Sequence, residues 1–286
     1  MREIRGKIAL VTGAASGIGR AIALRLAQEG AHLFLLDVDE DGLKGVVSSA
    51  RQHGVEAVGC RCNVSQPAQI DRSIDKLLRC WGHADILVNN AGVTYYGQTH
   101  QMAAEDWQQL LAVNLHAPVH FTRRLLPVLL DRPESHLLNI ASICGLVGLS
   151  RVSAYTTSKF AMVGFSESLR AEYGRRRLGV TALCPGLVDT NLFASASRGQ
   201  DRKENKQPPK FLLTTPEKIA NRAVKAIYRN QSVVVAQPYA RMLHMVKRFS
   251  PWILDRLNHL SRRKLKISRT PVPKTELQEE VAAKAA

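Results

Sequence analysis

Short, mostly apolar runs stopped by glycine, proline or polar turns recur at residues 8–11, 33–36, 57–62, 86–88, 137–141, 180–184 and 232–236. Runs of this length between turn signals read as strands buried on both faces. Between them the apolar spacing changes to three and four, which predicts helices over about 17–29, 42–54, 67–80 and 105–130. Gly30 suits the C-terminal stop of the first helix, and Thr215-Pro216 supplies an N-cap and a first-turn proline for a later one. Pro118 and Pro127 leave the continuity of 105–130 open. Strand and helix patterns alternate, so the expected class is α/β, a doubly wound parallel sheet with helices on both faces.

Past Pro238 the pattern changes. Residues 239–249 and 251–263 read as two helices, with Ser250-Pro251 as N-cap and first position of the second. Over 241–269 nine Lys/Arg stand against Asp255 alone, a net of +8 within a chain total of +16. The expected organisation is a catalytic domain over 1–239, a basic amphipathic extension over 240–269 and a frayed tail over 270–286. Three readings compete for the extension: a packed accessory helix pair, a subunit contact, or an anchor on an anionic membrane surface. Nucleic acid binding would rest on charge alone and is not expected.

Composition adds limits. The 286 residues are 45% hydrophobic and 22% charged, enough for one generous domain with an appendage. No apolar run reaches the ~18 residues of a membrane span, and the chain enters its first strand almost at once, leaving no room for a signal peptide. Five scattered cysteines lack metal-site spacing, so reduced thiols, a cytoplasmic location and no metal are expected.

The candidate chemistry lies at the ends of the apolar runs. Residues 8–11 lead into Thr12-Gly13-Ala14-Ala15-Ser16-Gly17-Ile18-Gly19. Gly13 permits a tight turn, while Gly17 and Gly19 allow close approach of a pyrophosphate to a helix N-terminus. Asp37 ends the next strand, where a carboxylate can accept from an adenosine ribose and repel a 2′-phosphate. This is a dinucleotide-binding signature of Rossmann type. Ser142 follows the apolar run 137–141. Tyr155 and Lys159, four apart, leave one face of a helix a turn from each other. A phenol titrates near ~10 in water, and a neighbouring ammonium would bring it toward a useful range.

The glycine loop, Asn89-Asn90-Ala91-Gly92, Ser142 and the Tyr155/Lys159 pair, in this order, resemble the short-chain dehydrogenase/reductase family from about residue 7 to 191. The resemblance implies that Tyr155 exchanges a proton with the substrate oxygen and Ser142 hydrogen-bonds it. Lys159 lowers the tyrosine pKa and holds the nicotinamide ribose, and Asn114 links the relay to solvent. It places Asn63 and Val64 beside the adenine, and Asn90, Ala91 and Gly92 along the cofactor's path. Pro185, Gly186, the backbone of Val188 and the Thr190 hydroxyl fall at the nicotinamide end, and 194–210 forms a substrate lid. NADP-preferring members carry a basic residue where this chain has Ser16 or Val38, so NAD is the expected cofactor. A homodimer or homotetramer is expected.

The implied activity is NAD-dependent interconversion of a secondary alcohol and a ketone. Val93, Tyr95, Tyr96, Ile143, Leu146, Val147, Leu187, Leu192 and Phe193 are the candidate lining. They are mostly apolar, with no evident Arg or Lys clamp, which favours a lipophilic small molecule. The alternatives are a β-ketoacyl-carrier-protein reductase using NADPH, whose acidic partner would suit the basic surface, and a non-catalytic dinucleotide sensor or scaffold. Asp37 argues against the first, and the complete Asn114, Ser142, Tyr155, Lys159 set against the second.

Overall fold

Five buried residues in succession, Ile8–Thr12, form β1. α1 (Gly17–Gln28), β2 (His32–Asp37), α2 (Glu40–Arg51), β3 (Ala57–Arg61), α3 (Pro67–Trp81) and β4 (Ile86–Asn89) continue the alternation. A two-residue β5 (Tyr95–Tyr96) precedes α4 (Ala104–Leu111), α5 (Ala117–Leu130) and β6 (Ser135–Ile140). Then come α6 (Ser153–Tyr173), β7 (Leu178–Cys184), β8 (Ser197–Arg198), α7 (Pro216–Tyr228), β9 (Val233–Val235), α8 (Pro238–Phe249) and α9 (Pro251–Arg262). This computed structural model describes residues 1–174, 177–190, 197–198 and 212–262.

Seven strands form one parallel sheet in the order β3-β2-β1-β4-β6-β7-β9, and β5 pairs with β8 separately. Strand order reverses between β1 and β4, which opens a crevice at their carboxyl ends. One face of the sheet packs Ile22, Leu26, Ala223 and Ile227 of α1 and α7. The other packs Leu77, Phe121, Leu125 and Leu169 of α3, α5 and α6. Two apolar layers explain why the strands read as unbroken apolar runs. Thr215 caps α7 as expected, accepting from Lys218 N at 3.4 Å.

The helical pattern over 105–130 is one rod in two phases. Residues Ala112–His116 form a π turn, in which Ala117 N–H bonds five residues back to Ala112 O. The shift lets Pro118, which has no N–H to give, sit in the first turn of α5. Pro127 lies inside α5 without ending it.

The chain divides into two compact units, Met1–His244 and Met245–Ala286, with the boundary inside α8. The expected tail over 270–286 lies outside the described residues. No described helix is long and apolar enough to cross a membrane.

Candidate active site

The glycine loop is held by the β4 turn. Thr12 Oγ1 accepts from Asn90 N and Ala91 N, both at 3.0 Å, and Asn90 Nδ2 donates to Thr12 O and Gly13 O at 2.9 and 3.0 Å. A Cβ on Gly19 would stand 2.0 Å from Gly13 O and 2.4 Å from Asn90 Nδ2, so only glycine lets the helix start close on the loop. Gly13 and Gly17 both have positive φ, 66° and 54°, a region that L side chains avoid. Ser16 is the N-cap of α1 but makes no side-chain cap bond, and the first turn holds no acidic residue. Its amide donors therefore face the crevice, a fit for a pyrophosphate. Ile18 packs half-buried on the core.

Asp37 serves the loop directly. Its carboxylate accepts from Ala15 N at 2.9 Å and from Asp39 N at 3.1 Å, while Asp39 caps α2 through Gly42 N. Arg61 is Asp37's register partner on β3, and its Nε donates to Val38 O at 3.4 Å. A cation thus stands beside Asp37 at the carboxyl end of β2. Arg5, another arginine near the strand starts, packs instead against Gly30 at the far end of α1. Asn63 Oδ1 accepts from Ser65 N and Oγ, and Val64 is buried beside the same crevice.

Ser142, Tyr155 and Lys159 meet at the carboxyl end of β6. Ser142 caps the short turn Ile143–Gly145, and its Oγ accepts from Cys144 N at 3.1 Å. A Cβ on Gly145 would stand 2.5 Å from Lys159 O, so this glycine lets the Ser142 turn press against α6. Asn139 ties α6 to the sheet, donating to Ser166 Oγ at 2.9 Å and accepting from Asn89 Nδ2 at 2.8 Å. Lys159 Nζ donates to Ile140 O at 2.8 Å and lies 5.5 Å from the Tyr155 ring centroid.

Burial governs the electrostatics here. Burial pulls Lys159 down to about 8, and burial pushes the Tyr155 phenol above its usual value, with the Ser142 hydroxyl pulling the other way. Desolvation is the largest cause for both groups.

Asn114 sits in the π turn, 1% exposed. Its Oδ1 accepts from Val93 N at 2.8 Å, and its Nδ2 donates to Val93 O at 2.9 Å and Ser158 Oγ at 3.2 Å. The side chain braces the loop after Gly92. Its Oδ1 and Lys159 Nζ both border Gly92, 3.4 and 3.7 Å from where a Cβ would stand.

Pro185 O accepts from Ile143 N at 2.7 Å, joining the two loops, and Val188 is buried. A Cβ on Gly17 would stand 3.3 Å from Thr190 Cγ2, which brings the glycine loop and the Pro185–Thr190 segment across from one another. Among the expected lining residues Ile143, Leu146, Val147 and Tyr95 are buried, while Val93 and Tyr96 are exposed. The Arg151 guanidinium lies over the Tyr96 ring, 5.9 Å from its centroid. Leu192, Phe193 and nearly all of the 194–210 lid lie outside the described residues. The sequence reading also missed the roles of Thr12, Gly145, Asn139 and the π turn, whose partners are far away along the chain.

A parallel sheet with a glycine loop at its switch point and a Ser/Tyr/Lys cluster beside it defines a dinucleotide-binding oxidoreductase site. The sequence model for short chain dehydrogenases matches residues 7–201, and the chain belongs to that family. It is 26% identical over 280 residues to a CLA biosynthesis dehydrogenase/reductase of Lactiplantibacillus plantarum, covering 91% of this chain and 95% of that one. A short chain dehydrogenase/reductase from Burkholderia phymatum in complex with NAD superposes with TM-score 0.79 at 29% identity, over 89% of this chain and 97% of that one. L-sorbose reductase from Gluconobacter frateurii, complexed with NADPH and L-sorbose, gives 0.73 at 28%, over 82% and 95%. The protein is a nicotinamide-dependent oxidoreductase of this family.

Proposed function

We propose that the protein interconverts a secondary alcohol and a ketone on a lipophilic small molecule, with NAD preferred over NADP. The convergence of Ser142, Tyr155 and Lys159 at the end of β6 carries this reading. Bound nicotinamide supplies or accepts the hydride. Ser142 Oγ donates to the substrate oxygen and fixes its position. Tyr155 passes its phenolic proton to that oxygen in reduction and takes it back in oxidation. Lys159, released from Ile140 O, holds the ribose hydroxyls and screens the phenolate. Asn114 keeps Val93 and the π turn in place beside the lysine. Asp37 accepts from the adenosine ribose once its carboxylate turns from the Ala15 and Asp39 amides.

The buried apolar residues Ile143, Leu146 and Val147 support a lipophilic substrate. The excess of +8 over 241–269 supports peripheral attachment at an anionic membrane surface, where such a substrate partitions. A panel of long-chain, alicyclic and short polar alcohols and ketones, followed by nicotinamide absorbance with both cofactors, tests the reading. Turnover confined to polar hydroxy acids or sugars would refute the substrate class.

A further inference from the structure

The segment that follows β9 reaches back into the Pro185–Val188 loop. Gln237, 7% exposed, accepts from Gly186 N through Oε1 at 2.6 Å and donates from Nε2 to Leu187 O at 3.1 Å. Tyr239, in the first turn of α8, accepts through its phenol oxygen from Leu187 N at 2.5 Å. Two side chains therefore pair with Gly186 N, Leu187 N and Leu187 O of the loop backbone, and Leu187 O also accepts from Thr214 N at 3.1 Å. Pro185 O, on the other side, accepts from Ile143 N next to Ser142. Glycine at 186 is a condition of this arrangement, since a Cβ there would stand 2.1 Å from the Tyr239 oxygen. Both residues lie beyond the matched family segment 7–201.

We propose that Gln237 and Tyr239 are positioning residues that clamp the nicotinamide loop and thereby make the start of α8 part of the cofactor site. A free loop of this composition would sample many backbone states, because Gly186 has no side chain to restrict it. The clamp, together with the Thr214 backbone bonds to Leu187 O and Asp189 N, selects one, presenting Val188 one residue further on. Removing the phenol oxygen leaves the Leu187 N–H without its acceptor in a half-buried place, and that peptide group must rotate or go unpaired. The effect falls on the nicotinamide half of the ligand and spares the adenosine half, which rests on Gly13, Gly17 and Asp37.

The inference rests on Pro185–Val188 lying at the nicotinamide end, and the test separates the two. NADH and ADP-ribose, which ends before the nicotinamide, are titrated by calorimetry into the parent protein, Tyr239→Phe and Gln237→Met. The expected result is NADH binding weakened about five- to tenfold in each variant. ADP-ribose binding stays within about twofold of the parent, since no contact of its own is removed. If Tyr239→Phe fails to fold, Gln237→Met carries the comparison. Equal weakening of both ligands would mean a general structural role, and unchanged NADH affinity would mean no role; either overturns the clamp. A parent that binds ADP-ribose and NADH with the same affinity would instead remove the nicotinamide contact from the loop, and the inference with it.

Discussion

Lys159 holds its ammonium 5.5 Å from the centre of the Tyr155 ring while donating to Ile140 O, so the pair is adjacent but the lysine's bond goes to the strand. Two buried titratable groups a helical turn apart each suffer desolvation. The phenol responds by rising and the ammonium by falling.

Tyr155→Phe keeps the ring and removes the exchangeable proton. Turnover is expected to drop by ~10²–10⁴-fold. NADH affinity, measured by fluorescence, should change little. Near-parental turnover would remove Tyr155 as the proton donor.

Burial pulls Lys159 from the ordinary lysine value of 10.5 down to about 8 in the folded state, so its charge opposes folding. A base with a depressed folded pKa binds fewer protons folded than unfolded between those values, and stability therefore rises with pH across that window. The penalty is full below about 8 and gone above 10.5. Lys159→Met should raise the melting temperature at pH 7, and the gain should shrink by pH 10. It should abolish turnover at both. A lower melting temperature at pH 7 would show that the Ile140 bond outweighs desolvation.

Asp37 and Arg61 are register partners of opposite charge at the carboxyl ends of β2 and β3. Asp37→Ala should narrow the NAD/NADP preference by at least about tenfold in kcat/KM, a shift of ~1.4 kcal/mol. Adding Arg61→Ala to that variant should return NADP use toward the parent level. A parent that prefers NADPH would show the reading of Asp37 to be wrong.

The basic extension should carry the protein to vesicles containing anionic lipid but not to neutral ones, with release by salt. Truncation belongs after Phe249, because removing Tyr239 would also disturb the cofactor loop. It deletes six of the nine Lys/Arg of 241–269 and should greatly weaken sedimentation while leaving NADH binding intact. Equal recovery in the supernatant with and without anionic lipid would exclude attachment.

Much of this protein is determined by local sequence. The apolar runs around Leu10, Phe34 and Leu137 become strands because each is short, bounded by turns and covered by helices on both faces. The chemistry-bearing residues were legible for a related reason. Gly13, Gly17 and Gly19 answer a local backbone demand, and Tyr155 and Lys159 share a face through helical spacing alone. Tertiary structure decided what those residues experience. The raised phenol and lowered ammonium come from burial, which no spacing reports. The π turn at Asn114 depends on a loop that begins 21 residues earlier at Val93. Gly186 looked like a cofactor-loop glycine, yet the contact that forbids a side chain there is Tyr239, 53 positions away in the chain, whose phenol oxygen would lie 2.1 Å from a Cβ at 186. Such close approaches are set by how the sheet returns the chain to its own crevice, so they exist only once β7 and β9 lie side by side.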